Sequence, residues 1–259
     1  MGLRVRGEDS VGAVATPRQF RLRLLSGFRL EFGEVVLHPS PGCQRLLAYL
    51  AVHGVASRAV LAGVLWPDVS EEHAHGSLRT TIWRLRRYAG DLLDIGRQQL
   101  SLARSVWVDV QALTARARRL LRPDAVVTRE DLELSGLHGG ELLPGWYDDW
   151  VLFERERLRQ LRIHALESLS RRLLRERRAA EALDAALEAV RLEPLRESGH
   201  RCVLAAHLAE GNVVEALRHY EVVRLQFAAE LGVAPSRALT TLMANALRSY
   251  RPAHPHGTR

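Results

Sequence analysis

Two hydrophobic periodicities divide this 259-residue chain, and the point where one replaces the other limits what it can fold into. Phe20, Leu22 and Leu24 alternate with Arg21 and Arg23, and after a turn at Gly27 the alternation resumes at Phe28, Leu30 and Phe32. A period of two puts every apolar side chain on one face of a strand. Gly33-Glu34 and Val35 to Leu37 extend this to a small antiparallel sheet, which Pro39 and Pro41 end. From Gln111 onward the alternation is gone and helical spacing takes over, broken by turn signals at Arg122-Pro123, Gly136 to Gly145, Glu193-Pro194, Gly211-Asn212 and Gly232 to Pro235. The length suffices for two domains, each with its own core.

Three helices are expected between the sheet and that change. Gln44 to His53 carries apolar residues at Leu46, Leu47, Leu50 and Ala51, one helical face, and Gly54 closes it. Ser57 is placed to cap a helix running to Trp66, which Pro67-Asp68 stops. Ser70 caps the third, with Glu71 and Glu72 in the first turn where the helix dipole favours negative charge. This helix reads to about Tyr88, with Gly90 just past it. Leu92 to Ile95 and Gln98 to Leu102 then flank Gly96-Arg97 as a short hairpin, to which Val106 to Val110 is expected to add a strand. Three helices followed by a hairpin is the winged helix-turn-helix plan, whose third helix enters the DNA major groove while the hairpin meets the backbone or minor groove.

The second half contains an internal repeat. Glu181-Ala182-Leu183 recurs as Glu215-Ala216-Leu217, a spacing of 34 residues, which is the tetratricopeptide period. Ala189 and Pro194 fit the first copy and Tyr220 the second, although the second lacks the terminating proline. The expected fold is therefore mainly α with small β elements. A flexible arm over 1–17 precedes a winged helix over 18–112, a helical-repeat domain over 113–249 and a disordered tail over 250–259.

Charge narrows the function. All 37 basic residues are arginine, which excludes phosphate-loop, Schiff-base and kinase-type lysine chemistry. Residues 1–122 hold 18 Arg against 10 acidic residues, whereas residues 123–259 hold 19 against 20. Only the first half is built to meet a polyanion. Within it, Ser77 to Tyr88 has four arginines and no acid. On a helical projection Ala74, Leu78, Ile82 and Leu85 form a narrow apolar stripe. Ser77, Thr80, Trp83, Arg84 and Arg87 lie opposite it, with Arg79, Thr81 and Arg86 on the flanks. Arginine can donate two hydrogen bonds to guanine, and flanking arginines suit phosphates. Arg97 at the hairpin tip is placed for a phosphate or the minor groove.

Residues from about 20 to 245 resemble the Streptomyces antibiotic regulatory protein family. Three stretches carry the resemblance: RAVLAGVLWPDVSEEHAHGSLRTTIWRLRR, GELLPGWYDDWVLFERERLRQL and EALRHYEVVRLQFAAELGVAPS. The resemblance implies a response-regulator-like winged helix followed by a bacterial transcriptional activation domain of tetratricopeptide-like helices. It also implies DNA-reading positions at Ser77, Thr80, Thr81 and Arg84, a homodimer on repeated promoter half-sites, and recruitment of RNA polymerase through its sigma and alpha subunits. Trp66 is either a phosphate contact through its indole N–H or a packing residue at a helix end. Trp83 departs from the family pattern, where that place is often small or basic. No receiver domain or nucleotide-binding domain supplies an input signal.

No enzyme reading survives the same scrutiny, and no cofactor is expected. His73 and His75 point to different sides of a helix, His254 and His256 sit in a Pro-rich tail, and Asp148-Asp149 reads as a helix cap. Cys43 and Cys202 cannot form a disulfide framework or a four-thiolate zinc site. The longest apolar run, Leu46 to Val52, is too short to cross a bilayer, and the start lacks a secretory or myristoylation pattern, so cytoplasm is the expected location. A repressor with the same DNA-binding mode, or an interaction adaptor whose repeats hold a partner while the basic half binds DNA without preference, are the rival readings.

Overall fold

The computed structural model describes residues 19–122 and 125–249. The expected arm and tail, with His254 and His256, lie outside these residues. The chain forms two compact units that divide between Asp109 and Val110, a few residues before the expected boundary; Leu25–Gly27 groups with the second unit.

In the first unit, β1 (Phe20–Arg23), β2 (Arg29–Phe32) and β3 (Val35–Leu37) form the predicted antiparallel sheet. Leu22, Leu24 and Leu30 are fully buried, while Arg23 and Arg29 flank Glu31 on the other face. Phe20 pairs with Phe32 across the ladder, their rings 4.5 Å apart, so register and aromatic packing agree. Helix α1 (Pro41–His53) starts three residues earlier than expected. The proline that ends the sheet serves as its first residue, where a missing N–H costs nothing. After α1, β4 (Ala56–Ser57) leads into α2 (Arg58–Leu65), and α3 spans Glu71–Tyr88. Both predicted serine caps form: Ser57 accepts from the Val60 N–H and Ser70 from the His73 N–H. Helix α3 packs on α1 and α2 through the expected stripe of Ala74, Leu78, Ile82 and Leu85.

The hairpin of β5 (Leu93–Ile95) and β6 (Gln99–Leu102) forms as expected, and β4 adds its third strand. The strand expected from Val106 to Val110 is corrected in partner. Only Trp107–Val108 (β7) is extended, and it pairs in parallel with β1, giving the sheet order β3-β2-β1-β7. The reason is local. The Asp109 carboxylate accepts the Leu24 N–H at 3.0 Å from both oxygens, and Arg23 lies over the Trp107 ring at 5.7 Å. These contacts hold the segment on β1 rather than on the hairpin.

In the second unit, α4 (Asp109–Leu121) precedes two 3-10 turns, the 27-residue α5 (Asp149–Arg175), α6 (Ala179–Leu192), α7 (Glu197–Ala209), α8 (Val213–Leu231) and α9 (Arg237–Ser249). Each helix from α5 onward packs on its neighbour in sequence, and α5 also meets α7 as α7 meets α9, the pattern of stacked helical repeats. Ala182 and Ala216, equivalent across the 34-residue spacing, are both fully buried near the starts of α6 and α8. Small residues at these places let helices approach closely; Gly199 leaves a Cβ only 3.2 Å from Val190 Cγ2. Asp148 precedes α5 as its N-cap residue, but its side chain makes no capping hydrogen bond.

The loop before α5 is tied to α4 by charge. Asp131, 2% exposed, accepts from Arg119 Nη2 at 2.6 Å and from the N–H and hydroxyl of Thr128 at 3.2 and 3.0 Å. The Arg119 hydrogen bonds hold its carboxyl below the ordinary carboxylate range. Arg116, also buried, donates to the carbonyls of Asp131 and Glu133.

Two expectations follow. Leu78→Ala, at a 1% exposed position, should cost about 2–5 kcal/mol in a denaturant titration, against about 1 kcal/mol for Ser70→Ala; equal losses would contradict the packing described. Because folding depresses the Asp131 pKa, its stabilisation is complete above the unfolded carboxylate pKa and is lost as pH falls through the folded one. Asp131→Asn should therefore cost about 1–3 kcal/mol at neutral pH and make the melting temperature fall less steeply on acidification than in the wild type.

Candidate nucleic-acid interface

Helix α3 presents its polar side because its apolar stripe is committed to α1 and α2. Arg79, Thr80, Trp83, Arg84, Arg86 and Arg87 are all exposed, and Ser77 is half-buried. Ser77, Arg79, Thr80, Thr81 and Arg84 line a single hollow of about 780 Å³ with Trp66 at the end of α2 and Ser40, Pro41 and Gly42 at the start of α1. Thr81 departs from its expected place on an exposed flank. It is 7% exposed, its hydroxyl donates to the Ser77 carbonyl at 2.8 Å, and it sits against Gly42, where a Cβ would come within 3.5 Å of its Oγ1. It belongs to the seam between α3 and α1. The Thr80 hydroxyl donates in the same way to the Gly76 carbonyl at 3.0 Å, and the residue is exposed.

Trp66 stands just past the end of α2. It is half-buried, its ring lies beside the first turn of α1 near Gly42, and it also lines the hollow. Trp83 is 59% exposed and stacks with Arg87, whose guanidinium carbon lies 5.5 Å from the ring centre. Both line a neighbouring groove of about 420 Å³ with His38, Pro39 and Tyr88, and Arg84 reaches both depressions. Arg86 lines neither. Arg97 is exposed in the turn between β5 and β6.

Two features escaped the sequence reading. Arg58, the first residue of α2, donates from Nε to the Arg97 carbonyl at 3.3 Å, and its N–H donates to the Gln98 carbonyl at 2.9 Å, so a second guanidinium stands at the wing turn. The start of α1 opens on the same hollow as α3, and helix N-termini carry N–H groups without intrahelical partners together with partial positive charge. Proline at its first turn was the available signal.

Electrostatically, the interface is distinguished by what its arginines lack. Among the described residues, Arg79, Arg84, Arg86 and Arg87 have no carboxylate partner, whereas in the second unit six Glu/Arg pairs three residues apart close at 2.5 to 2.9 Å. A cluster of solvated guanidiniums of one sign, on a convex helix face beside a wing, can neutralise phosphates and donate to base edges.

Comparison with known proteins places the chain in a family. The bacterial transcriptional activator domain family matches residues 107–247. Among solved structures, EmbR of Mycobacterium tuberculosis, in complex with a low-affinity phosphopeptide, superposes with a TM-score of 0.72 at 18% identity, covering 91% of this chain and 66% of that one. The chain thus spans less than two thirds of that protein's length. No curated protein sequence matches the chain. No helix of the described residues is long and apolar enough to cross a membrane. With the family match extending over more than half the sequence, the chain belongs to the bacterial transcriptional activator domain family.

Proposed function

We propose that the chain is a sequence-specific, non-enzymatic activator that reads double-stranded promoter DNA through α3 and the wing. The carrying observation is the run of four exposed arginines on α3, none of them paired with a carboxylate among the described residues. Solvated guanidiniums without carboxylate partners remain available to neutralise phosphates and release their counterions.

In this reading Arg84 donates to a guanine, Ser77 and Thr80 touch base edges or a thymine methyl, and Thr81 sets α3 against α1. Arg79, Arg86, Arg87 and Arg97 bind phosphates, as do Trp66 and the start of α1. Trp83, held by Arg87, lies along the sugar-phosphate edge. The protein acts in the cytoplasm as a homodimer on repeated half-sites, and its helical unit engages the sigma and alpha subunits of RNA polymerase. That last assignment rests on the family to which the chain belongs.

The test is selection of bound duplexes from a random pool at near-physiological salt. A recovered motif is expected, tandem if the dimer forms. Arg84→Ala should lose about 1–3 kcal/mol at one base position and relax preference there. Arg79→Ala should weaken binding to all sequences alike and lower the salt slope by about 1. Equal losses on selected and random duplexes for both variants would remove the division of roles. Recovery of unselected sequence with a steep salt slope would instead favour the adaptor reading.

A further inference from the structure

Helix α3 opens with two acids, and only one of them faces the hollow. Glu72 is exposed and lines it together with His73, Gly76, Arg79 and Thr80, whereas Glu71 does not. The helix dipole accounts for an acid in this turn, but Glu71 serves the dipole equally well, so it does not account for an acid placed over the hollow.

Among the described residues nothing within the chain pairs with the Glu72 carboxylate. Glu71 stands 3.8 Å from His75 Nε2, and His73 is tied through Nδ1 to the Ser70 hydroxyl at 2.7 Å. Arg79 lies instead over Gly76, its Nη2 3.7 Å from where a Cβ would stand. A free carboxylate repels phosphate and weakens binding to any duplex, so it is a liability on a face that only neutralises a backbone.

Gly76, one turn beyond Glu72, is a second and independent observation. Glycine in a helix interior is destabilising relative to alanine. Packing within the chain does not require it here: beyond its chain neighbours, a Cβ would meet only the flexible tip of Arg79, at an ordinary van der Waals distance. Glu72, Gly76 and Thr80 follow at intervals of four on one side of the helix, so bare backbone lies between the carboxylate and the threonine. A group outside the chain can approach closely there.

The chemistry of base edges selects that group. In the major groove guanine presents two acceptors, thymine an acceptor and a methyl, and adenine an acceptor beside its amino donor. Each of those acceptors repels a carboxylate, whereas cytosine presents its N4 amino donor alone. We propose that Glu72 is a specificity-determining residue, whose carboxylate accepts from the N4 amino group of a cytosine brought close over Gly76. The inference rests on α3 reading DNA, as proposed above. Glu72 and Arg84 stand twelve residues apart, about 18 Å along the helix, so this cytosine and the guanine read by Arg84 belong to different base pairs.

Selection from a random pool by the wild type, Glu72→Gln and Gly76→Ala, followed by titration of each with one selected and one random duplex, tests the assignment. The wild-type motif should hold a cytosine whose replacement weakens binding about fivefold to a hundredfold. Glu72→Gln should lose that preference while binding the random duplex more tightly than the wild type does. Gly76→Ala should bind the selected duplex about tenfold more weakly, at a melting temperature equal to or above the wild-type value, which separates the loss from misfolding. The inference is overturned if Glu72→Gln selects the wild-type motif unchanged or weakens equally on both duplexes, or if Gly76→Ala binds the selected duplex as tightly as the wild type. Those outcomes leave the DNA-reading role of α3 standing; a wild type that selects no motif would overturn both.

Discussion

The burial of one face of α3 against α1 and α2 is the contact on which the first unit's function depends. Leu78 and Leu85 are each 1% exposed, and Ala74 and Ile82 sit in the same stripe, so the helix cannot rotate without exposing its apolar side. Fixing that face fixes the opposite one. Thr81 packs in the same seam, its hydroxyl and the Trp66 ring within van der Waals reach of a Cβ at Gly42 at the start of α1. The end of α3 is pinned as well: the Tyr88 hydroxyl accepts the His38 N–H at 2.9 Å, just beyond β3. Ser77, Thr80 and Arg84 consequently share one hollow without any direct bond among their side chains placing them there.

The two units use the same residue type for opposite purposes. In α5, α6 and α8, arginines pair with glutamates one helical turn away, at Arg157–Glu154, Arg191–Glu188 and Arg224–Glu221 among others. Such exposed pairs contribute only about 0.2–1 kcal/mol each, but they neutralise the surface. Helix α3 confines its acids to the first turn, at Glu71 and Glu72, where they favour the helix dipole, and it carries its arginines beyond them. Of the net charge of +7, the first unit holds +4 (14 Arg, 10 acidic residues) and the second +3 (23 Arg, 20 acidic residues), so α3 is set apart by its unpaired arginines and not by its unit's total charge.

Local signals made much of this legible in the sequence. The period-two run at Phe20 to Leu24, the serine caps at Ser57 and Ser70, and the α3 stripe each depend on neighbours a few residues apart, and each appears in the structure. Tertiary contacts were not legible in the same way. The parallel pairing of Trp107–Val108 with β1 depends on Asp109 reaching Leu24 across 85 residues, and no periodicity encodes that. The break between α5 and α6 was silent too: it turns through Arg177 at φ +62°, with no glycine or proline to mark it. Within the interface, helical projection placed Thr81 on a flank because it counts angles only. Its burial comes from the close approach of α1 at Gly42, and Arg58 joins the wing only through backbone contacts to Arg97 and Gln98.

The central claim is that DNA meets the outward face of α3 and the wing, while the helical unit is left for other contacts. Amide hydrogen exchange of the full chain, free and bound to a duplex recovered by selection, tests this most directly. The account predicts new protection concentrated over Glu71 to Tyr88, at the first turn of α1 and at the turn carrying Arg97, with α6 to α9 exchanging as in the free chain. Protection concentrated in α6 to α9, with α3 unchanged, would contradict it.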